Sequence, residues 1–83
     1  NNIEPELFRR FAEPGNPDGL TIDDEGDIYQ TLPGIGAIAV INKQGEMTDI
    51  YHMDSWKPSN IHFNQGMFYV TDRLGSRIFQ FSK

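Results

Sequence analysis

Five of the fourteen residues in "NPDGLTIDDEGDIY" (16–29) are acidic. Carboxylates at that density are the raw material of a hard-cation site, because calcium and magnesium take oxygen ligands. The tight cluster "DDEGD" (23–27) does not follow the EF-hand pattern. That pattern needs alternating oxygen ligands before the glycine and a Glu six residues after it, where this chain has Leu32. The cluster reads as a solvated hairpin turn with no part in metal binding or catalysis. Asp18 stands apart, beyond the short stretch "LTID" (20–23). Its flanks, Pro17 and Gly19, also make an ordinary turn sequence. The chain has no cysteine, which removes thiol nucleophiles and thiolate metal sites, and it contains no G-x-S-x-G or phosphate-binding glycine loop.

The elements that must position these groups are strands. Short runs rich in Ile, Val, Phe and Tyr, cut by Gly, Pro, Asn and Asp, predict strands at 6–12, 20–23, 27–32, 37–42, 47–53, 60–63, 67–72 and 77–82. The turns at 24–26, 33–36, 43–45, 64–66 and 74–76 each carry a glycine, which supplies the positive φ of tight hairpins. The 83 residues allow one small domain. Seven Lys and Arg stand against twelve Asp and Glu, a net charge of −5, and the basic residues are scattered, so no nucleic-acid partner is expected. No apolar run approaches the roughly 18 residues of a membrane span, and no membrane partner is expected. No signal peptide is visible. The opening "NNIEPELF" lacks a methionine and reads as a processed or trimmed piece, and nothing assigns a compartment.

The stretch "KPSNIHFNQGMFYVTD" (57–72) is a second copy of the acidic one. Pro17 matches Pro58 and Ile22 matches Phe63 at an offset of 41; Gly26 and Gly66, Tyr29 and Tyr69, Thr31 and Thr71, and Ile38 and Ile78 match at 40. A period of about 40 residues with four short strands per unit is the mark of β-propeller blades. The predicted fold class is all-β, two four-stranded antiparallel blades' worth of a propeller. Residues 1–13 are an outer strand of an adjacent blade, 14–53 blade repeat 1, and 54–83 an incomplete repeat 2. Two blades leave sheet faces uncovered, so the chain alone is not expected to be a stable monomer. Its expected partners are the remaining propeller blades, from the same longer protein or from other copies of this chain. Three copies would give six blades.

Strands alternate in direction within a blade, which sorts the polar residues onto two faces. Loops 12–19, 31–37, 54–60 and 72–77 share one face; turns 23–27, 42–46 and 64–66 share the other. Asp18, at the mouth of an inner strand, and Ser59 and Asn60, at the matching place in the second copy, face the axial channel as oxygen donors suited to calcium or magnesium. Trp56 either lines a substrate site on that face or packs. Asp72 and Arg73 either contact a ligand or form a surface pair. His62 is expected to be packed within its strand, and His52 exposed.

The run "NPDGLTIDDEGDIYQTLPGIGAIAVINKQGE", followed by "PSNIHFNQGMFYVTD", resembles the regucalcin/gluconolactonase (senescence-marker-protein-like) family of six-bladed propellers. The resemblance covers roughly residues 14 to 83, about a third of such a protein. It implies that Asp18, the Asp of the "PDG" run, is both a metal ligand and a catalytic residue. The ion would be calcium, or another divalent cation such as magnesium or zinc, and its other ligands, a Glu and one or more Asn, would come from earlier blades. The implied function is a divalent-metal-dependent lactonase-like hydrolase acting on a small-molecule lactone, a sugar lactone or similar ester. From their place on the channel face, Ser59, Asn60, Asp72 and Trp56 are expected to bind the substrate. The chain departs from the family at "FNQG", where "FGG" is common. It fits the NHL-repeat pattern about as well, which implies the alternative of a non-catalytic propeller segment for protein or ligand binding.

Overall fold

The computed structural model describes residues 2–12 and 14–83. Strands β1 (Leu20–Ile22), β2 (Ile28–Leu32), β3 (Ala37–Ile41) and β4 (Met47–His52) form one antiparallel sheet in chain order, sheet A. Strands β5 (Pro58–Asn64), β6 (Met67–Asp72) and β7 (Arg77–Ser82) form a second, sheet B. A single 3₁₀ turn, Pro33–Ile35, links β2 to β3 and ends on Gly36 at φ 61°.

The turns explain why these segments pair as they do. Asp23 Oδ1 accepts the backbone N–H groups of Glu25 and Asp27, and Gly26 takes φ 86°. Asn42 does the same between β3 and β4, accepting from Gln44 and Glu46. The β5–β6 turn is shorter. Gln65 and Gly66 both have positive φ between the paired residues Asn64 and Met67, a two-residue primed hairpin. That contraction is the residue lost when the repeat offset falls from 41 to 40.

The sheets stack face to face. Alternation along the strands sends Tyr29, Ile38 and Val40 of sheet A and Ile61, Phe68 and Val70 of sheet B into one buried cluster. Phe68 is fully buried at its centre, with ring centroids 4.1 Å from Tyr29, 4.8 Å from Phe63 and 4.9 Å from Phe81. Between the inner strands, the Phe63 N–H donates to Thr21 Oγ1 at 3.1 Å. The opposite face of sheet A holds a second cluster, Leu32, Ala37, Ala39 and Ile41, with Ile28, Ile50 and Phe11 against it.

Two expectations change. Residues 6–12 form no strand. They run as irregular chain over the far face of sheet A, with Phe11 on its core and Arg9 donating to the Gly45 carbonyl at 3.4 Å. A strand needs a neighbour with free backbone groups, and sheet A already carries β4 on its outer edge. His62 is exposed, because Ile61 and Phe63 on either side of it turn toward sheet A. Large apolar side chains remain open on both outward faces: Leu20 and Ile22 on β1, Tyr69 and Ile78 on β6 and β7.

Replacing Phe68 with Ala removes the ring on which both blades meet, and no neighbour can collapse into the gap without parting the sheets. We expect a loss of about 3–5 kcal/mol in urea unfolding, with both sheets melting together. Phe68→Ala at less than half that loss contradicts this placing of the core.

Candidate functional site

The face that carries the channel mouth is built around Thr31, at the end of β2 and fully buried. Its hydroxyl donates to the Ser59 carbonyl at 2.6 Å and accepts the Gly19 N–H at 2.9 Å. The Gly19 N–H also donates to the Ser59 carbonyl at 2.9 Å, so the two inner strands are tied at their mouths. The second repeat copies the bond: the Asn60 N–H donates to Thr71 Oγ1 at 2.9 Å. Gly19 has no room for a side chain, since a Cβ there would stand 2.6 Å from Asn60 Oδ1 and 2.8 Å from the Ser59 carbonyl. This close approach is why the run reads Pro-Asp-Gly.

With its own N–H on the Thr31 carbonyl at 3.2 Å, Asp18 is fixed at the backbone and sends its carboxylate outward. There it meets Arg73, whose guanidinium donates to Asp18 Oδ2 at 2.7 Å across 55 residues of sequence. Asn16, Lys57 and Gly34 complete a polar pocket around the pair. A Cβ on Gly34 would collide with the Pro14 carbonyl, so glycine lets this loop close on the rim. Among the described residues the pocket thus holds one carboxylate and two cations, in a chain whose net charge is −5. The side chains of Asp18 and Arg73 are 44% and 58% exposed, so this ion pair is worth little in water and is free to separate.

The other expected residues separate into two groups. Ser59 and Asn60 do lie beside Gly19 and Asp18. The Ser59 hydroxyl is engaged with Thr71 Oγ1 at 2.9 Å, and Asn60 Oδ1 accepts the Ile61 N–H at 3.1 Å. Asp72 and Trp56 belong to a structural unit. Asp72 is buried, and its carboxylate accepts the N–H groups of Lys57 (2.7 Å), Leu74 (3.2 Å) and Gly75 (3.0 Å) together with two bonds from Arg77 (3.0 and 2.8 Å). No oxygen of Asp72 is left for a ligand, and the Asp72–Arg73 surface pair, the other alternative, is not made either: Arg73 takes Asp18, and Asp72 takes Arg77. Arg77 also lies over the Trp56 ring, 3.8 Å from its centroid, while Trp56 packs on Phe79. Of the two roles open to Trp56, the structure shows packing.

The acidic turn lies at the other end of β1, away from Asp18. Its solvated reading needs correction at Asp23, whose side chain is fully buried. Burial pushes the Asp23 carboxyl up, but the N–H groups of Asp27 and Glu25 and the Lys83 ammonium outweigh it and hold it below its ordinary value. Carboxylate oxygens of Asp23, Glu25 and Asp27 lie within 4.8 Å of one another. The Lys83 ammonium sits among these acids, paired with Asp24 and Glu25 and 3.4 Å from Asp23 Oδ2. A cation demand at this turn is met by the chain itself.

The family profile described as the SMP-30/gluconolactonase/LRE-like region matches residues 3–73. The chain belongs to that family. Among solved structures it is similar to a virginiamycin B lyase from Staphylococcus aureus, with a TM-score of 0.65 and 20% identity over 83% of this chain. The match covers 27% of the lyase chain, so the present chain spans about a quarter of its length. At that identity the likeness shows the propeller fold, and the two sheets are successive blades of it. No curated protein sequence matches significantly.

The Asp72 hub generates a pH prediction. Burial raises its pKa, but the Lys57 N–H, Arg77 and the Gly75 and Leu74 N–H groups together hold it below the ordinary 3.8. Asp72 therefore binds more protons unfolded than folded near pH 4, so its stabilisation is present above the unfolded value and lost as pH falls through the folded one. In urea melts, Asp72→Asn should lower the midpoint clearly at pH 7 and progressively less toward pH 2–3. An equal deficit at both ends contradicts the charged hub.

Proposed function

We propose that this chain is part of a divalent-metal-dependent, lactonase-like hydrolase, with Asp18 as its reacting carboxylate and a sugar lactone or similar ester as substrate. The observation that carries this reading is the placement of Asp18. Its backbone is pinned to Thr31 at the inner-strand mouth, its carboxylate opens into a polar pocket, and among the described residues no second carboxylate lines that pocket. Family membership gives the same position its chemical meaning.

The residues present fit a share in a metal centre. A hard cation takes roughly six to eight oxygens; Asp18 offers an anionic oxygen, and Asn16 on the same rim offers a neutral one. The chain would supply these two ligands to a centre shared with other blades. Calcium is the ion we favour, with magnesium or zinc as the other candidates. When bound there, such an ion would supply Lewis-acid polarisation of the ester carbonyl and a lowered pKa for its bound water.

The chain's own residues divide the remaining work. Asp18, once released from Arg73, accepts a proton as general base. Arg73 and Lys57 then face the carboxylate that ring opening creates. Asn60 and the Ser59 hydroxyl lie at the adjoining mouth and orient substrate hydroxyls. Asp72 and Trp56 act from behind, Asp72 by fixing the Lys57 backbone at 2.7 Å and Trp56 by stacking on Arg77.

The Arg73–Asp18 pair also favours a second reading, a non-catalytic NHL-type segment that binds through its loops, because a guanidinium on the carboxylate disfavours a cation there. Calcium titration calorimetry with lactone hydrolysis decides between them. Asp18→Asn should weaken metal binding and, at saturating metal, lower turnover by about 10²-fold; Asp18→Ala should abolish both; Arg73→Met should tighten metal binding. Wild type that binds no divalent ion and opens no lactone overturns the hydrolase in favour of the binding scaffold.

A further inference from the structure

Asp18 is followed by Gly19, and this is the one Asp-Gly pair in the chain; there is no Asn-Gly pair. An aspartyl–glycyl bond is unusually open to attack from within, because glycine has no Cβ to shield its nitrogen from the neighbouring carboxyl carbon. Here nothing larger can replace the glycine, since a Cβ would stand 2.6 Å from Asn60 Oδ1 and 2.8 Å from the Ser59 carbonyl. The close contact of the two inner strands thus imposes a reactive dipeptide on the carboxylate of the channel mouth. The matching place in the second copy carries Ser59 and Asn60 and has no such pair.

The Gly19 nitrogen is held from both blades. Its N–H donates to the Ser59 carbonyl and to Thr31 Oγ1, both at 2.9 Å. The Gly19 carbonyl accepts the Thr31 N–H at 2.9 Å and the Gln30 side-chain amide at 3.0 Å, and the Asp18 N–H is on the Thr31 carbonyl. This peptide unit cannot turn its nitrogen toward the Asp18 side chain unless Gly19 lets go of the neighbouring blade. The carboxylate offers no such restraint: it is 44% exposed, and its bond to Arg73 is free to separate. The chain also carries an unrestrained reference. Asp54 and Ser55 are exposed, and among the described residues the Ser55 N–H donates to no protein acceptor.

We propose that Asp18 is a site of spontaneous isomerisation, closed while the two blades are docked and open whenever they part at their mouths. The Gly19 nitrogen then attacks Asp18 Cγ. The N–Cγ bond forms, and the amide proton and the hydroxyl of the protonated carboxyl leave as water. Solvent water reopens the cyclic imide at either carbonyl. Opening at Cγ restores aspartate. Opening at the Asp18 main-chain carbonyl breaks its bond to Gly19 and leaves isoaspartate, with the main chain running through Cβ and Cγ. No electrons are gained or lost, and the mass returns to its starting value. The extra backbone carbon between Asp18 Cα and Gly19 carries Gly19 off the Thr31 and Ser59 bonds, and the free carboxylate, now on Cα, is one carbon further from Arg73. On the hydrolase reading, on which this consequence alone rests, the change retires the reacting carboxylate.

Isoaspartate at Asp18 and Asp54 is followed by peptide mapping and by transfer of a labelled methyl group with an isoaspartyl methyltransferase, a readout independent of any hydrolysis. In the chain unfolded by urea, Asp18 should isomerise faster than Asp54, because glycine shields its nitrogen less than serine does. In the folded chain the order should reverse, with Asp18 slowed by about tenfold or more through the cost of breaking the Gly19 bonds and Asp54 little changed. Thr31→Val keeps the buried volume and removes the acceptor; its Asp18 rate should rise by about tenfold, with the Asp54 rate and the circular dichroism unchanged. Thr31→Ser, which keeps the hydroxyl, should behave as wild type. The comparison of folded and unfolded wild type decides the matter even where Thr31→Val fails to fold. Asp18 isomerising in the folded chain at its unfolded rate overturns the proposal, as does an unfolded chain in which Asp18 is no faster than Asp54. A folded Thr31→Val in which Asp18 stays as slow as in wild type overturns it equally.

Discussion

The apolar face shared by the two sheets is the contact on which the rest of the structure depends. Each sheet is a single layer, and a single layer must bury one face against another element; sheet A also packs Phe11 on its far face, but the aromatic core lies between the sheets. Phe68 and Tyr29, 4.1 Å apart, come from different blades and from matched second strands of the repeat. Sliding one sheet on the other would break this contact and, with it, the line of bonds from Gly19 and Thr31 to Ser59. The channel mouth is therefore held in place by packing one layer beneath it. Asp18 needs no long, flexible arm to reach its pocket, because the strand it precedes is tied at its mouth to the inner strand of the next blade.

The same repeat places carboxylates at opposite ends of β1 and gives them opposite fates. At one end, Asp23 is folded inward onto backbone N–H groups, and its neighbours are answered by Lys83. At the other, Asp18 is turned outward among Arg73, Lys57 and Asn16. Density of acidic residues thus misleads about which of them is open to chemistry. The crowded cluster is built into a turn and internally neutralised. The isolated aspartate is bonded only through its backbone and one exposed guanidinium, so it is the one that can exchange partners.

Much of the blade pattern was legible in the residues. Glycines and Asx residues at the turns, the period-2 alternation of β6 and the matched Thr31 and Thr71 mark strands and their order, because these depend on local backbone chemistry. The position of Asp18 at an inner-strand mouth was legible for the same reason. Other features depend on which side chains meet across blades, and short-range pattern is blind to that. Neighbouring Asp72 and Arg73 suggest a pair, yet strand alternation sends them to opposite sides, one to Arg77 and the other to Asp18 in the preceding repeat. The burial of Asp72 had one weak signal, an Arg shortly after it across a glycine turn. Residues 6–12 have strand composition, but a strand exists only where a neighbour offers its edge, and that neighbour is not a local property.

The central claim is that the reactive carboxylate is Asp18 and that the acidic turn is inert. Titration of the isotopically labelled chain with manganese(II), a paramagnetic ion with calcium-like preference for oxygen, locates the ion directly by broadening of nearby amide resonances. The account predicts broadening confined to residues 16–19, 34–36, 57 and 73, around Asp18, and lost in Asp18→Asn. Broadening centred on residues 23–27 and 83 would contradict it, because the ion would then have displaced Lys83 and chosen the turn.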